Sequence, residues 1–295
     1  MIAELLDRTL AALRSEQPVG PAIEALCDGL LVERARLGPA WLGVVEHVCR
    51  RHPLHVLLGQ DPFTAQARRK PRAGDATLID YLYDAVAGPD TTALGEALMR
   101  ATTSGALGRA IRARRTLLAR RIDDRASRVE RPRILAVACG HLRELAVTAS
   151  AGELGAVYAI DHDPDNLAEA ARHPQVVPIA ASVGDLLRGP VDVPACDLVY
   201  AAGLYEYLPD GVAGELTQCL FERVAPGGEL LIASFAAEPP PIGYMEAFMD
   251  WSVLGRSEAT LRALGARLAT DALWDLHTWL DDERCLAYLS ATRAP

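Results

Sequence analysis

Apolar residues recur at helical spacing through roughly the first 125 residues of the chain. Leu5, Leu6, Leu10 and Leu13 fall on one face of the first segment, a pattern typical of an amphipathic helix. Glycine and proline, which interrupt helices, separate the segments that follow. The pattern predicts further helices over 22–36, 41–51, 75–86 and 92–121.

From about Arg131 onward the pattern changes to short β-rich runs that alternate with helical segments. Such alternation indicates a parallel, doubly wound sheet. The predicted strands are 133–138, 156–161, 176–180, 196–201 and 229–235. The predicted intervening helices are 142–150, 164–172 and 211–223.

The last part of the chain breaks the alternation. Two strand-like runs, 272–280 and 284–290, are separated by Asp281, Asp282 and Glu283, which predicts an antiparallel hairpin. Five alternating strands followed by a hairpin fit a seven-stranded sheet better than the six-stranded dinucleotide-binding sheet. We therefore predict an α/β, Rossmann-like seven-stranded fold with an N-terminal helical domain. The predicted domains are 1–125 and 126–295.

This topology resembles that of the class I S-adenosylmethionine (SAM)-dependent methyltransferases. The Pro226-Gly227-Gly228 turn ahead of the fifth strand is similar to the turn found there in that family. The resemblance implies SAM as the cofactor. It also implies that the N-terminal helices form a cap or substrate domain.

Composition and charge limit the classes of partner that the protein is expected to bind. The net charge of −9 argues against a nucleic-acid binder, which usually carries a basic surface. The sequence contains no apolar run of membrane-spanning length, and its N-terminus lacks a signal-peptide pattern. The six cysteines show no metal-binding spacing, so no metal is expected. These features predict a cytoplasmic protein that acts on a small molecule and binds neither nucleic acid nor membrane. A homodimer and an accessory subunit both stay open.

The turn after the first strand, Ala138-Cys139-Gly140, consists of small residues. Small residues allow the backbone to approach a ligand at the carboxyl ends of the strands. The family's usual turn has two or three glycines, whereas this turn has one, followed by His141. His141 is a candidate to bind the methionine portion of SAM, or else it caps the turn. An ordinary strand-to-helix turn is the alternative interpretation of the whole motif.

Asp161 ends the second predicted strand, 21 positions beyond Gly140. An acid about 20 residues beyond such a turn accepts hydrogen bonds from ribose hydroxyls. Both NAD and SAM contain a ribose, but the order of the motifs along the chain favours SAM. His162 and Asp163 are further cofactor candidates. Asp163 also fits a helix N-cap ahead of Pro164.

The family resemblance assigns roles to two more strand ends. It places the adenine of SAM beside Ser182, Val183 and Asp185, with a helix cap as the equal alternative for Asp185. It places the transferable methyl group near Ala202 and Gly203, after the fourth strand.

Tyr205 and Glu206 follow that strand and are the candidate catalytic residues, since either is placed to orient an acceptor. A carboxylate acceptor loses no proton, whereas an alcohol or a carbon acid needs a base. The alternative is that Tyr205 and Tyr207 only pack in a surface or a lid.

Several stretches resemble bacterial methyltransferases related to those that make 3-hydroxy fatty acid methyl ester signals. These stretches are 52–55, 60–64, 70–76, 137–144 and 244–251. The resemblance implies that the N-terminal helices cover the SAM site and that Gly74 and Asp75 approach the cofactor. The family has Gly-Tyr where Arg72 joins Ala73 directly here, which leaves a changed substrate or reaction open.

An aromatic and methionine-rich insert follows the fifth strand at 238–255. Tyr244, Met249 and Trp251 are candidates for a substrate-binding wall, and a core helix is the alternative. Six arginines between Arg109 and Arg121 either meet an anionic substrate or form a solvated helix face.

The sequence thus predicts a SAM-dependent methyltransferase. Its expected acceptor is a carboxylate or hydroxyl of a small lipid-like or secondary metabolite. One alternative is an enzyme of the same fold that catalyses a non-methylating displacement, such as an intramolecular cyclisation. A second alternative is a non-catalytic SAM-binding subunit of a complex.

Overall fold

The computed structural model describes residues 1–15, 17–69, 76–189, 191–269 and 271–295. The chain divides into two compact units. Unit 1 comprises Met1–Arg112 and Glu238–Ser252, and unit 2 comprises Ala113–Ala237 and Val253–Pro295. The predicted domain boundary after residue 125 stays a prediction. Within the described residues, no helix combines the length and the apolar character needed to cross a bilayer.

Unit 1 is helical over its described residues, as the spacing of apolar positions predicts. Its helices are α1 (Ile2–Arg14), α2 (Val19–Leu37), α3 (Trp41–Val44), α4 (Pro53–Leu58), α5 (Pro62–Arg69), α6 (Ala76–Asp84), α7 (Ala93–Ser104), the first part of α8 (Ala106–Ala126) and α12 (Ile242–Phe248). A π-helical turn, Val45–Cys49, continues α3.

The prediction of one helix over 92–121 is wrong. Gly105 ends α7 with an extended backbone (ψ −176°), and α8 begins at Ala106. This extended conformation lies outside the helical region, so it interrupts the helix. Helix α8 then runs without interruption to Ala126 and carries the chain from unit 1 into unit 2.

Unit 2 contains a seven-stranded sheet. Its strands are β1 (Arg133–Val137), β2 (Ala156–Asp161), β3 (Val176–Ala180), β4 (Cys196–Ala202), β5 (Val224–Phe235), β6 (Leu273–Leu280) and β7 (Leu286–Arg293). Their order is β3-β2-β1-β4-β5-β7-β6. The first five strands are parallel, and β7 is antiparallel to both β5 and β6. The predicted sheet and its closing hairpin are therefore confirmed.

Alternating strand residues face two sides of this sheet. One side packs in a single hydrophobic cluster with residues of three helices. These helices are α10 (Val183–Arg188), α11 (Asp210–Phe221) and α13 (Glu258–Gly265), while α9 (Pro164–Ala170) packs on β2 and β3. The second part of α8 is tied to β5, because Arg125 donates to the Gly227 carbonyl at 2.9 Å and to the Glu229 carboxylate at 3.2 Å.

The helix predicted over 142–150 is absent, and this prediction is wrong. Leu142 has a positive φ of 49°, outside the right-handed helical region, so the turn after β1 does not propagate into a helix. Only the 3-10 turns Leu145–Val147 and Ala151–Glu153 follow. Leu142 and Leu145 are nevertheless buried, which keeps this segment packed close to the sheet.

Candidate cofactor and acceptor site

The strand order reverses between β1 and β4. In open α/β sheets ligands bind in the crevice at the carboxyl ends of the strands at such a switch point. Val137 of β1 pairs with Ala201 of β4, so the segments that follow these residues are neighbours. Ala138, Gly140 and Gly203 all have positive φ there, at 51°, 53° and 108°. A non-glycine residue such as Ala138 is strained in this conformation, and such strain is concentrated at functional sites.

Asp161 lies at the end of β2 beside this crevice, with only 4% of its surface exposed. Its Oδ2 accepts a hydrogen bond from the Gly140 amide at 3.0 Å, and its Oδ1 accepts one from the Asp163 amide at 3.0 Å. A carboxylate has about four acceptor positions, so Asp161 retains capacity for a ribose diol. The half-exposed His162 places its Nδ1 3.3 Å from Oδ1.

The remaining residues of the turn lie at the crevice as well. Cys139 donates from its thiol to the Gly140 carbonyl over 3.4 Å, and burial raises the pKa of this thiol. His141 is half-buried. Gly74 and Asp75, which the resemblance brings to the cofactor, lie outside the described residues.

Three other candidates cap helices. The Asp163 carboxylate accepts from the Asp165 amide at 2.9 Å and caps α9. Ser182 and Asp185 form a capping box at the start of α10, with Ser182 donating to Asp185 at 2.6 Å. This hydrogen bond lowers the pKa of Asp185. Capping explains these side chains in full, so their adenine contacts stay a prediction.

Tyr205 has a packing role. It is completely buried in the hydrophobic cluster of unit 2, and its hydroxyl lies 3.1 Å from the Thr217 hydroxyl of α11. Burial raises the pKa of this phenol. Since Tyr205 faces the core, we do not carry it forward as a catalytic residue.

Glu206 differs from its neighbour. Only 2% of its surface is exposed, and its Oε2 has no hydrogen-bond partner among the described residues. Its Oε1 lies 3.8 Å from the position that a Cβ would occupy on Gly203. Burial raises the pKa of Glu206 to about 7, and a hydrogen bond to its own backbone and the charges of Arg114 and Arg256 oppose that shift. Glu206 is therefore a buried acid near the end of β4 that changes protonation near neutral pH.

Arg114 of α8 lies near Glu206, a role that the sequence analysis does not predict. Its Nη1 lies 3.3 Å from the same point on Gly203, and only 5% of its surface is exposed. A second buried acid, Glu144, accepts a 2.5 Å hydrogen bond from the Tyr200 hydroxyl. Burial raises the pKa of Glu144, and the Tyr200 hydrogen bond and the charge of Arg114 oppose that shift. The end of β4 thus brings the buried cation Arg114 close to two buried carboxyls.

Arg256 fixes the turn that carries Glu206. Its buried guanidinium donates to the carbonyls of Tyr205 and Leu208 and lies 3.1 Å from the Asp210 carboxylate. The Glu206 carbonyl accepts from the Leu254 amide at 2.8 Å. These contacts hold the backbone of Glu206 on both sides.

The predicted substrate residues lie in unit 1, within α12 and just after it. Tyr244, Met249 and Trp251 are all buried. The Tyr244 hydroxyl lies 3.1 Å from that of Thr64, and the ring of Trp251 meets Phe63 edge-on, with the ring centroids 6.4 Å apart. The structure shows these residues as core packing, which agrees with the alternative interpretation of the insert.

No protein-family model matches the chain, and no curated protein matches it. Solved structures resemble it in fold. A possible exported protein from Bordetella parapertussis is 17% identical with a TM-score of 0.66, covering 91% of this chain and 97% of its own. Magnesium protoporphyrin IX methyltransferase from Synechocystis, solved with S-adenosylhomocysteine (SAH), is 13% identical with a TM-score of 0.50, covering 79% of this chain and 100% of its own. Together with the sheet order, these likenesses define the fold as that of the class I methyltransferases.

Proposed function

We propose that the protein is a SAM-dependent methyltransferase that binds its cofactor in the crevice between β1 and β4. The observation that carries this proposal is the buried Asp161 carboxylate, held by the Gly140 amide beside the switch point of the sheet. A preorganised acid at this place suits a ribose diol. The class I methyltransferase fold favours SAM over NAD as the source of that ribose.

The residues present fit this cofactor. Asp161 keeps acceptor capacity for the ribose hydroxyls. The turn Ala138–Gly140, with His141 after it, presents a small-residue backbone for the methionine portion. Ser182, Val183 and Asp185 are proposed to border the adenine. Ala202 and Gly203 are proposed to lie beside the reacting centre, where small residues let the cofactor approach the backbone.

When bound, SAM supplies an electrophilic methyl group and a thioether leaving group. The chain has to orient the acceptor, exclude water and handle any proton. Glu206 is suited to the last task, because a general base works best when its pKa lies near the operating pH. A hydroxyl acceptor would lose its proton to Glu206 as its oxygen gains the methyl group. A carboxylate acceptor would leave Glu206 out of the reaction.

The acceptor is proposed to be a small lipid-like or secondary metabolite. This proposal follows the resemblance of five stretches to methyltransferases of 3-hydroxy fatty acid methyl ester synthesis. The buried base favours a hydroxyl over a carboxylate within that class.

Titration calorimetry with SAM, SAH and NAD tests the cofactor assignment. We expect micromolar binding of SAM and SAH and no binding of NAD. Binding of NAD without SAM would contradict the proposal. Transfer of label from methyl-labelled SAM to hydroxyl and carboxylate acceptors then separates methyl transfer from the non-methylating and non-catalytic alternatives.

A further inference from the structure

Glu206 has a combination of features that packing does not explain. Its carboxyl is buried, and one of its oxygens has no hydrogen-bond donor among the described residues. A buried polar atom without a partner costs on the order of 1–3 kcal/mol, more for a charged group. Its other oxygen lies 3.8 Å from the Cβ position of Gly203, just after the end of β4 and beside the proposed cofactor crevice. A ligand bound in that crevice can supply the missing partner.

The protein supplies only part of the positive charge that an ionised Glu206 would require. Arg114 of α8 lies nearby, but it also acts on the second buried acid, Glu144 of the β1–β2 connection. Arg256, which precedes α13, is already engaged by two carbonyls and by Asp210 of α11. Glu206 and Glu144 therefore both draw on Arg114, and Arg256 is shared with Asp210 and two carbonyls. One more positive charge beside Glu206 would stabilise its ionised form.

We propose that Glu206 is the counter-charge for the cofactor's sulfonium ion: it gives up its proton when SAM binds and keeps it when SAH binds. This inference rests on the proposed function. The positive charge of SAM is permanent at sulfur, whereas the sulfur of SAH is neutral. An opposite charge close to a buried carboxyl favours its ionised form, and the interaction is strong where water is excluded.

Two consequences follow from this coupling. Glu206 favours the binding of SAM over SAH, because only the positive charge of SAM offsets the free-energy cost of ionising the buried carboxyl. The proton affinity of Glu206 also rises once the sulfur becomes neutral. An ionised Glu206 is then ready to accept the proton of a hydroxyl acceptor at the moment when the acceptor releases it.

The test is calorimetric titration of SAM and SAH at about pH 6, 7 and 8, repeated at pH 7 in buffers that differ in ionisation enthalpy. Glu206 titrates near pH 7, so SAM should bind about tenfold more tightly at pH 8 than at pH 6 through this group. Glu206→Gln should lose that gain and release fewer protons on binding SAM. The amino group of SAM titrates as well, but it does so with wild type and with Glu206→Gln alike. The difference in pH dependence between these two proteins therefore reports the titration of Glu206.

Glu144→Gln is the matched control, since it removes the other buried carboxyl of the same cluster. We expect SAM binding to stay pH-dependent in this variant, with its midpoint moved to lower pH because Arg114 no longer also acts on Glu144. We expect SAH binding to be alike in wild type and Glu206→Gln. An identical pH dependence for SAM in wild type and Glu206→Gln would overturn the proposal, as would its loss in Glu144→Gln alone. If Glu206→Gln does not fold, a wild-type SAM affinity that is constant from pH 6 to 8 overturns it. Folded protein that binds neither SAM nor SAH would contradict the proposed function itself.

Discussion

The buried carboxylate of Asp161 accepts a hydrogen bond at 3.0 Å from the backbone amide of Gly140, 21 residues earlier in the chain. This bond ties the end of β2 to the turn after β1. A second backbone amide, that of Asp163, holds the other oxygen at 3.0 Å. Because both donors belong to the backbone, the acid is fixed at the crevice before any ligand arrives, which reduces the ordering cost of binding.

Replacing Glu206 with glutamine should weaken the pH dependence of stability. Burial raises the pKa of Glu206 from 4.5 to about 7, so the folded state binds more protons than the unfolded state between these values. The free energy of unfolding of the wild type should therefore fall as pH rises through this window, on the order of 3 kcal/mol from this group. Urea unfolding at about pH 5 and about pH 7.5 measures the fall. Glu144 contributes in the same direction to both proteins, so equal falls in both would show that Glu206 does not titrate as a buried group.

Gly203→Ala should reduce both stability and SAM affinity. The backbone at Gly203 has a φ of 108°, and an added Cβ would lie 3.3 Å from Nη1 of Arg114. We expect a loss of about 1–3 kcal/mol in the free energy of unfolding. Gly227→Ala is the control, because Gly227 also has a positive φ, of 71°, but nothing lies within 4 Å of its Cβ position. Equal losses of SAM affinity in the two variants would argue against the arrangement around Gly203.

Tyr205→Phe should lower the free energy of unfolding by about 1 kcal/mol, because it removes the contact with the Thr217 hydroxyl. SAM affinity should not change, since this side chain faces the core. Thermal unfolding and calorimetric titration of the same preparation measure both quantities. A large loss of SAM affinity at unchanged stability would restore a functional role for Tyr205.

Trp251→Ala should destabilise the helical unit by about 3–5 kcal/mol, the usual cost of removing a large aromatic side chain from a core. Trp251 is completely buried, and its ring packs edge-on against Phe63. Circular dichroism during urea unfolding monitors the helices directly. An unchanged transition would contradict the core role and would support the substrate wall that the sequence suggests.

The strands could be predicted from sequence more fully than the helices, of which one predicted helix is absent and another is interrupted. Alternating β-rich runs place β2 and β3 at the observed residues, because short runs rich in β-branched and aromatic residues between turn signals are typical of strands. The segment after β1 has the composition of a helix, yet the positive φ of Leu142 stops it. That conformation results from the tertiary setting of the turn, which local propensity does not include. Likewise, only the structure shows that the helix predicted over 92–121 is interrupted at Gly105.

The site was predictable in part. Asp161 is marked by its distance from Gly140, and Glu206 by its place after a buried strand. Whether Tyr205 points into the core depends on how α11 packs beside the end of β4. This packing could not be predicted from the sequence. Arg114 did carry a signal, because it falls on the stripe of α8 that contains the buried residues Leu107, Ala110, Ile111, Leu118 and Ile122. A cation within an apolar stripe indicates a buried partner.

The most direct test of the central claim is SAM titration of Asp161→Asn beside Asp165→Asn. Asp165 is an exposed acid in the first turn of α9, so its replacement controls for the loss of one negative charge. We predict that Asp161→Asn weakens SAM binding at least tenfold, about 1.4 kcal/mol, while Asp165→Asn binds as the wild type does. Equal SAM affinity in all three folded proteins would contradict the assignment of Asp161 and of the crevice as the cofactor site.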